Sequence, residues 1–279
     1  MIKWIILDID GVIIGSKRGV NSPTPHPDVA LALRTVRSEW VFISLCTAKP
    51  HFAIRDTIEL AGLENLHITD GGWVIIDPLG NYVHKTFEIE TNLTKQVIGE
   101  LVSAGIYTEW YTIEDYFIHS EQKSDITEDH YKVLQSYPQM VDSLGQSWIT
   151  KIMPIARNNH EQEMIRQIFQ LYSEDLVLSW WVHPVILPLQ FGIITTKWIS
   201  KWYAADEIAK REWVDRGELL AVGDSTSDWQ FIQHCGYKVA MWNASNELQN
   251  LVAWAWWYIA PSVDENGVIE MLRHFKLLT

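Results

Sequence analysis

Short apolar runs alternate with amphipathic stretches at the beginning of the chain. Residues 4–7 form an uninterrupted apolar run, and β-rich runs follow at 41–46 and 66–69. Between these runs, residues 28–38 and 52–63 have the composition and apolar spacing of helices. This alternation predicts βαβ units, in which helices connect the buried strands of a parallel sheet.

A second βαβ pattern is predicted over roughly 86–190, after a hairpin that is predicted over 73–85 with its turn at 77–81. The pattern predicts helices at 92–104, 127–137 and 159–172 and strands at 107–112, 116–119, 148–155 and 176–182. Residues 176–196 contain no Lys, Arg, Asp or Glu, but prolines interrupt them. We therefore expect two buried strands joined at a proline-rich corner rather than a membrane helix, with His183 in a structural role.

The opening pattern returns after residue 197. It predicts helices at 197–210, from 227 and after 267, and strands at 219–222 and 238–241. The two outer blocks are therefore expected to form one doubly wound, Rossmann-like parallel sheet, made of residues 1–84 and 191–279. Residues 85–190 are predicted to form an inserted α/β cap domain.

Composition and charge narrow the class of protein. The 279 residues, 47% of them hydrophobic, suffice for two domains. Cys46 and Cys235 are too few and too far apart for a disulfide framework or a zinc cluster, which favours a cytoplasmic protein. The net charge of −13 argues against a nucleic-acid partner. Neither a membrane anchor nor a signal peptide is expected, and both a monomer and a small homo-oligomer fit the composition.

Two pairs of aspartates follow predicted strands. Asp8 and Asp10 come directly after the run at 4–7 and point to the same side of the extended chain. Asp224 and Asp228 follow the strand at 219–222. Ligands of open parallel sheets bind at the carboxyl ends of the strands, where such carboxylates suit a hard cation and acid–base chemistry. The second pair also suits a helix N-cap, together with Ser225 and Ser227.

Thr47 and Lys197 are candidates for binding a phosphate group. Thr47 follows the strand at 41–46, so its hydroxyl and the amides near Ala48 are predicted to bind phosphate oxygens. Lys197, at the start of a predicted helix, is the expected point charge for a phosphoryl oxygen. Lys201, four residues later on the same helix face, is the less favoured alternative.

The order of these motifs resembles that of the haloacid dehalogenase superfamily, in particular its Cof-like branch with an α/β cap. The sequence Asp8-Ile9-Asp10-Gly11, then Thr47, an inserted domain, a lysine and Gly223-Asp224 through Asp228 carry the resemblance. Three further segments are similar to motifs of that branch, namely ITDGG at 68–72, VAMWNA at 239–244 and DENGV at 264–268. Two motifs depart from the family pattern. The usual Thr-Gly-Arg is Thr47-Ala48-Lys49, and the usual GDGxND is GDSTSD at 223–228, with Ser227 in place of the asparagine.

The resemblance implies a Mg²⁺-dependent phosphatase that acts on a small phosphorylated metabolite, such as a sugar phosphate. Asp8 would be the nucleophile that forms an aspartyl-phosphate, and Asp10 the general acid and base. The implied metal ligands are Asp8, Asp10 through its carbonyl, Asp224 and Asp228. The implied phosphate ligands are Thr47, Ala48 and Lys197, with Lys49, Ser225, Ser227 and Asn243 in support.

Two alternatives remain open at this point. A phosphomutase similar to phosphomannomutase shares these motifs but returns the phosphoryl group to the sugar. A catalytically silent metabolite-binding protein would be marked by loss of Asp8 or Asp10, and both are present. The cap is expected to set specificity, and Trp110, Tyr111 and Tyr116 are its candidates for facing a substrate.

Overall fold

The computed structural model describes residues 1–79, 82–145, 148–182, 186–197, 199–255 and 257–278, with only the backbone described at 82–84. These residues fall into two compact units. The core unit comprises Met1–Pro50, Ile54–Lys85 and Ser200–Thr279, and the inserted unit comprises His51–Ala53 and Thr86–Ile199.

Strands and helices alternate along most of the chain. The strands are β1 (Trp4–Leu7), β2 (Phe42–Leu45), β3 (His67–Thr69), β4 (Val74–Asp77), β5 (Tyr82–Thr86), β6 (Tyr107–Tyr111), β7 (Tyr116–His119), β8 (Gln139–Val141), β9 (Lys151–Ala156), β10 (Leu176–Val182), β11 (Gln190–Thr196), β12 (Leu219–Gly223), β13 (Tyr237–Met241) and β14 (Tyr258–Ala260). The helices are α1 (Pro27–Ser38), α2 (Arg55–Ala61), α3 (Thr91–Ser103), α4 (Asp125–Leu134), α5 (Asn159–Gln170), α6 (Lys201–Arg211), α7 (Trp229–Ile232), α8 (Asn246–Trp254) and α9 (Gly267–His274). The elements β8, α8 and β14 are not predicted from the sequence.

The core unit is built on a five-stranded sheet with the order β14-β13-β12-β1-β2, in which all neighbours are parallel. Strand β1 lies between β12 and β2 and is fully buried, as a continuous apolar run predicts for a sheet covered on both faces. Leu7 pairs with Leu45 on one side and Val222 on the other, so the three strands end side by side. The predicted fold class is confirmed, and three loops start at one edge of the sheet.

A smaller sheet with the order β3-β4-β5 adjoins β2 through a parallel bridge between Cys46 and Ile68. His67 helps to hold this junction. Its Nδ1 accepts from the Leu45 backbone N–H at 3.1 Å, so Nε2 carries the proton and donates to the Leu63 carbonyl at 3.1 Å. Burial lowers the pKa of His67 to about 4, which keeps the ring neutral. Gly80 and Asn81 of the predicted turn lie outside the described residues.

The inserted unit is built on a six-stranded sheet with the order β10-β11-β9-β6-β7-β8. Helices α3 and α5 pack on one face, through Val97, Leu101 and Ile165, while α4 packs on the other through Ile126 and Leu134. The neighbouring strands are antiparallel except for β7 and β8. The predicted βαβ pattern is therefore wrong for this unit, because the hairpins β6–β7 and β10–β11 place consecutive strands side by side and antiparallel.

A polar cluster lies buried beneath α4. Glu109, with no exposed surface, has His130 Nδ1 at 2.8 Å from Oε2, and it accepts from the hydroxyls of Tyr111 at 2.5 Å and Tyr107 at 3.3 Å. Buried charges require such partners. Trp110, Tyr111 and Tyr116 are at most 1% exposed. These three residues, the candidates for facing a substrate, are therefore buried side chains, because helices cover both faces of the sheet.

The stretch without charged residues forms the antiparallel pair β10 and β11, so the prediction of two strands is confirmed. The prediction that both are buried is wrong for β10, which lies at the edge of its sheet and in which only Leu176 is buried. The corner residues His183 and Pro184 lie outside the described residues. Among the residues that the structure describes, no helix is long and apolar enough to cross a membrane.

The chain returns to the core unit later than predicted. Strand β11 pairs with both β9 and β10, so residues 190–196 belong to the inserted unit and the core resumes at Ser200 instead of residue 191. Helix α6 likewise begins at Lys201 and not at Lys197, since the Ser200 hydroxyl accepts from the Tyr203 backbone N–H at 3.2 Å and caps the helix there.

Candidate active site

Three of the predicted aspartates meet at the carboxyl edge of the core sheet. Asp8, Asp224 and Asp228 each present an oxygen within 4.8 Å of the others. Asp8 and Asp228 are buried, and Asp224 is partly buried. Asp10, three residues beyond β1, is more accessible, with 27% of its side chain exposed. The topology of the parallel sheet thus brings together two acid pairs that lie more than 200 residues apart in the sequence.

The glycine of the first motif is required by close packing. Gly11 has a φ of +77°, and a Cβ there would lie 2.0 Å from Asp224 Oδ2. Asn243 holds the same turn, because its Nδ2 donates to the Gly11 carbonyl at 2.8 Å and its Oδ1 accepts from the Val263 backbone N–H at 2.8 Å. Asn243 therefore supports the loop of the first aspartates through the backbone.

Asp264 fastens the next part of that loop. Its carboxylate accepts from the Ser16 hydroxyl at 2.9 Å and from Asn21 Nδ2 at 2.9 Å, and hydrogen bonding lowers the pKa of Asp264. In the sequence, the segment 264–268 is similar to a family motif, but no role can be assigned to it from the sequence. The motif's acid and its loop partners are far apart along the chain, so their contact has no local signal.

Asp228 is held by its own loop. Its Oδ2 accepts from the backbone N–H groups of Asp224 and Ser225 at 3.1 and 3.0 Å, and from the Ser225 hydroxyl at 3.0 Å. The Ser225 and Ser227 hydroxyls are 2.7 Å apart. These bonds cap the short helical turn. Asp228 therefore both caps this turn and belongs to the acidic cluster.

Lys201 contacts two of the three clustered carboxylates, those of Asp8 and Asp228. Its Nζ donates to Asp8 Oδ1 at 2.9 Å and to Asp228 Oδ1 at 2.7 Å, and the side chain is buried. Its helix starts against Gly72, where a Cβ would lie 2.4 Å from the Ser200 carbonyl carbon. The predicted phosphate ligand Lys197 belongs to the inserted unit, where its backbone N–H donates to the Asp175 carbonyl.

The loop after β2 carries Thr47, Ala48 and Lys49. Thr47 is buried, and its Oγ1 accepts from the Lys49 backbone N–H at 3.1 Å, which leaves the hydroxyl proton to donate. Lys49 Nζ lies 2.8 Å from Asp10 Oδ1. Asp8 and Asp10 therefore contact different lysines, namely Lys201 and Lys49.

The cluster of Asp8, Asp224 and Asp228 carries more negative charge than Lys201 can neutralise. Burial raises the pKa of Asp8 to about 7 although Lys201 opposes the shift, and burial with the repulsion of Asp8 and Asp228 raises that of Asp224 to about 9. A divalent cation would relieve this repulsion. Carboxylate oxygens at this spacing are the donors that hard cations prefer, so the residues present fit Mg²⁺.

Comparisons with known proteins agree with this arrangement. Residues 5–272 match the sequence model of the haloacid dehalogenase-like hydrolases. The phosphatase YwpJ of Bacillus subtilis is 23% identical over 98% of this chain and 99% of its own length.

Solved structures show the same fold. A haloacid dehalogenase-like hydrolase from Bacteroides thetaiotaomicron superposes with a TM-score of 0.83 at 15% identity, over 99% of this chain and 100% of its own. A subclass IIB sugar phosphatase of that superfamily superposes with a TM-score of 0.79 at 18% identity, over 99% and 100% of the two chains.

Proposed function

We propose that this chain, which belongs to the haloacid dehalogenase-like hydrolase family, is a Mg²⁺-dependent phosphatase of small phosphorylated metabolites. The predicted family and the prediction of an enzyme are confirmed. One observation carries the proposal, namely the contact of Lys201 with Asp8 and Asp228, beside Asp224, at the carboxyl edge of the sheet.

Asp8 is the proposed nucleophile. Its carboxylate oxygen attacks phosphorus, the bond from phosphorus to the leaving oxygen breaks, and an aspartyl-phosphate forms. The buried ammonium of Lys201 lies 2.9 Å from this carboxylate and offsets negative charge as the phosphoryl group transfers. We therefore assign to Lys201 the role that the sequence gives to Lys197.

Asp10 is the proposed general acid and base. It gives a proton to the leaving oxygen, and it then takes a proton from the water that attacks phosphorus and releases Asp8. Its greater exposure suits a group that must exchange protons with the substrate and with water.

Thr47 is the proposed phosphate ligand from the second strand. It can donate its hydroxyl proton to a phosphoryl oxygen, since its lone pair already accepts from Lys49, and the Ala48 amide lies beside it in the chain. Together with Lys201 it would bind the same phosphoryl group from two sides.

The proposed Mg²⁺ ligands are Asp8, Asp224 and the Asp10 carbonyl, with Asp228 in support. Asp228 is assigned support because its Oδ1 contacts Lys201 and its Oδ2 accepts the loop bonds. When bound, the cation supplies positive charge to the phosphoryl oxygens and orients them.

A sugar phosphate is the proposed substrate class. It is supported by the structural neighbour named a sugar phosphatase and by the inserted α/β unit between the second and third motifs. A phosphomutase would use the same aspartates, so the product separates the two activities.

Release of inorganic phosphate from a panel of sugar phosphates should require Mg²⁺. We expect EDTA to abolish turnover and Mg²⁺ to restore it without added sugar bisphosphate. Asp224→Asn should raise the Mg²⁺ concentration for half-maximal turnover by about tenfold or more, since it removes a charged ligand. The exposed Asp56→Asn should leave that concentration unchanged. Turnover that persists in EDTA would contradict the metal requirement, and a demand for bisphosphate would favour the mutase.

A further inference from the structure

We propose that Lys49 is a positioning residue for Asp10, whose carboxylate it holds in the orientation that protonates the leaving group. Lys49 Nζ lies 2.8 Å from Asp10 Oδ1, and only 10% of the lysine side chain is exposed. The inference rests on the proposed function, since it acts through the acid role of Asp10.

The backbone of Lys49 is fixed at both of its polar groups. Its N–H donates to Thr47 Oγ1 at 3.1 Å, and its carbonyl accepts from the Asp70 backbone N–H at 2.9 Å. The side chain therefore starts from a defined point on a loop that is bonded to the β2 end and to the segment after β3. The ammonium group of a lysine held in this way has a defined position, whereas that of a surface lysine is mobile.

The two lysines of the site divide the carboxylates between them. Lys201 contacts Asp8 and Asp228, whereas Lys49 contacts Asp10. The bond to Asp10 uses Oδ1, and an ammonium makes a single-point contact where an arginine would make a bidentate one. Asp10 Oδ2 is thus the oxygen that we assign to carry the transferred proton.

This role predicts a dependence on the leaving group. An alkoxide such as that of a sugar needs a proton as the bond to phosphorus breaks, so orientation of the general acid matters for it. p-Nitrophenolate is a good leaving group that departs without protonation. A residue that binds the phosphoryl group instead affects both substrates alike, because the group transferred is the same.

The test compares kcat/KM, which covers formation of the aspartyl-phosphate but not its hydrolysis, for a sugar phosphate and for p-nitrophenyl phosphate. The five proteins are the wild type, Lys49→Met, Lys49→Arg, Asp10→Asn and Lys201→Met. For Lys49→Met we expect kcat/KM to fall about 100-fold with the sugar phosphate and less than about fivefold with p-nitrophenyl phosphate. Lys49→Arg should restore most of the loss, because it returns a cation to Asp10. Lys201→Met, the matched control at the proposed phosphate ligand that contacts Asp8 and not Asp10, should lower both values by a similar factor.

Equal losses on both substrates for Lys49→Met would make Lys49 a phosphate ligand and overturn the proposal, as would no loss on either. Asp10→Asn should show the same selectivity as Lys49→Met. If Asp10→Asn is selective and Lys49→Met is not, this inference alone fails, whereas an unselective Asp10→Asn removes the acid role of Asp10 as well. Should Lys49→Met lose its cooperative thermal transition, Lys49→Gln replaces it, with the same outcomes.

Discussion

Asp8→Asn should lower kcat for Mg²⁺-dependent hydrolysis by about four orders of magnitude or more, because a carboxamide cannot attack phosphorus. The substitution is nearly isosteric and should leave the fold intact. Burial already raises the pKa of Asp8 to about 7, so a neutral side chain suits this environment, and Lys201 keeps Asp228 as a partner.

Phosphate release and thermal unfolding of the same preparation measure this prediction. The melting temperature of Asp8→Asn in EDTA should stay within a few degrees of the wild type, as it should for the exposed control Asp56→Asn, which keeps full turnover. A folded Asp8→Asn protein that retains more than a few per cent of the wild-type rate would exclude Asp8 as the nucleophile and favour direct attack by water.

Lys201→Met should reduce kcat by about 100- to 1,000-fold, because it removes the ammonium that faces the nucleophile. It should also lower the free energy of unfolding by about 3 kcal/mol, since Asp8 and Asp228 would lose the buried cation that both contact. Lys197→Met is the matched control, and we expect its kcat and stability to remain close to those of the wild type. Steady-state rates and urea denaturation in EDTA provide both readouts.

Inhibition by inorganic phosphate distinguishes the two lysines further. Lys201→Met should weaken this inhibition strongly and Lys197→Met only slightly. The reverse order would return the phosphate role to Lys197 and would leave Lys201 with a structural role between two carboxylates.

The convergence of the aspartates in the core unit could be predicted because its signals are local. A continuous apolar run that ends in Asp8 and Asp10 defines both a buried strand and the edge at which its acids lie. The run at β12 does the same for Asp224 and Asp228. Parallel topology then places these ends side by side, so the sequence contains enough information to predict that the acids converge.

The choice between Lys197 and Lys201 could not be made in that way. Four residues separate them, so a helix that began at Lys197 would present both on one face. The residue at which the helix starts determines which lysine reaches the aspartates. That start depends on the extension of β11 to Thr196 and on the Ser200 cap. The extension rests on pairing with β9 and β10, which is not local to the lysines.

The inserted unit was harder to predict for the same reason. Alternation along β6 separates Trp110 from Tyr111 but does not reveal that α3 and α5 cover one face and α4 the other. Nor does it indicate that Glu109 is paired with His130, which lies 21 residues later on α4. Exposure of aromatic residues in a sheet depends on which helices pack on each face.

A trapped phosphoenzyme tests the central claim most directly. The wild-type protein, mixed with Mg²⁺ and ³²P-labelled p-nitrophenyl phosphate and quenched in acid within a turnover, should carry label that hydroxylamine releases, as an acyl phosphate does. We expect the label on the peptide that contains Asp8 and none on the Asp8→Asn protein. Turnover without labelled protein, or label on a different residue, would contradict an aspartyl-phosphate at Asp8.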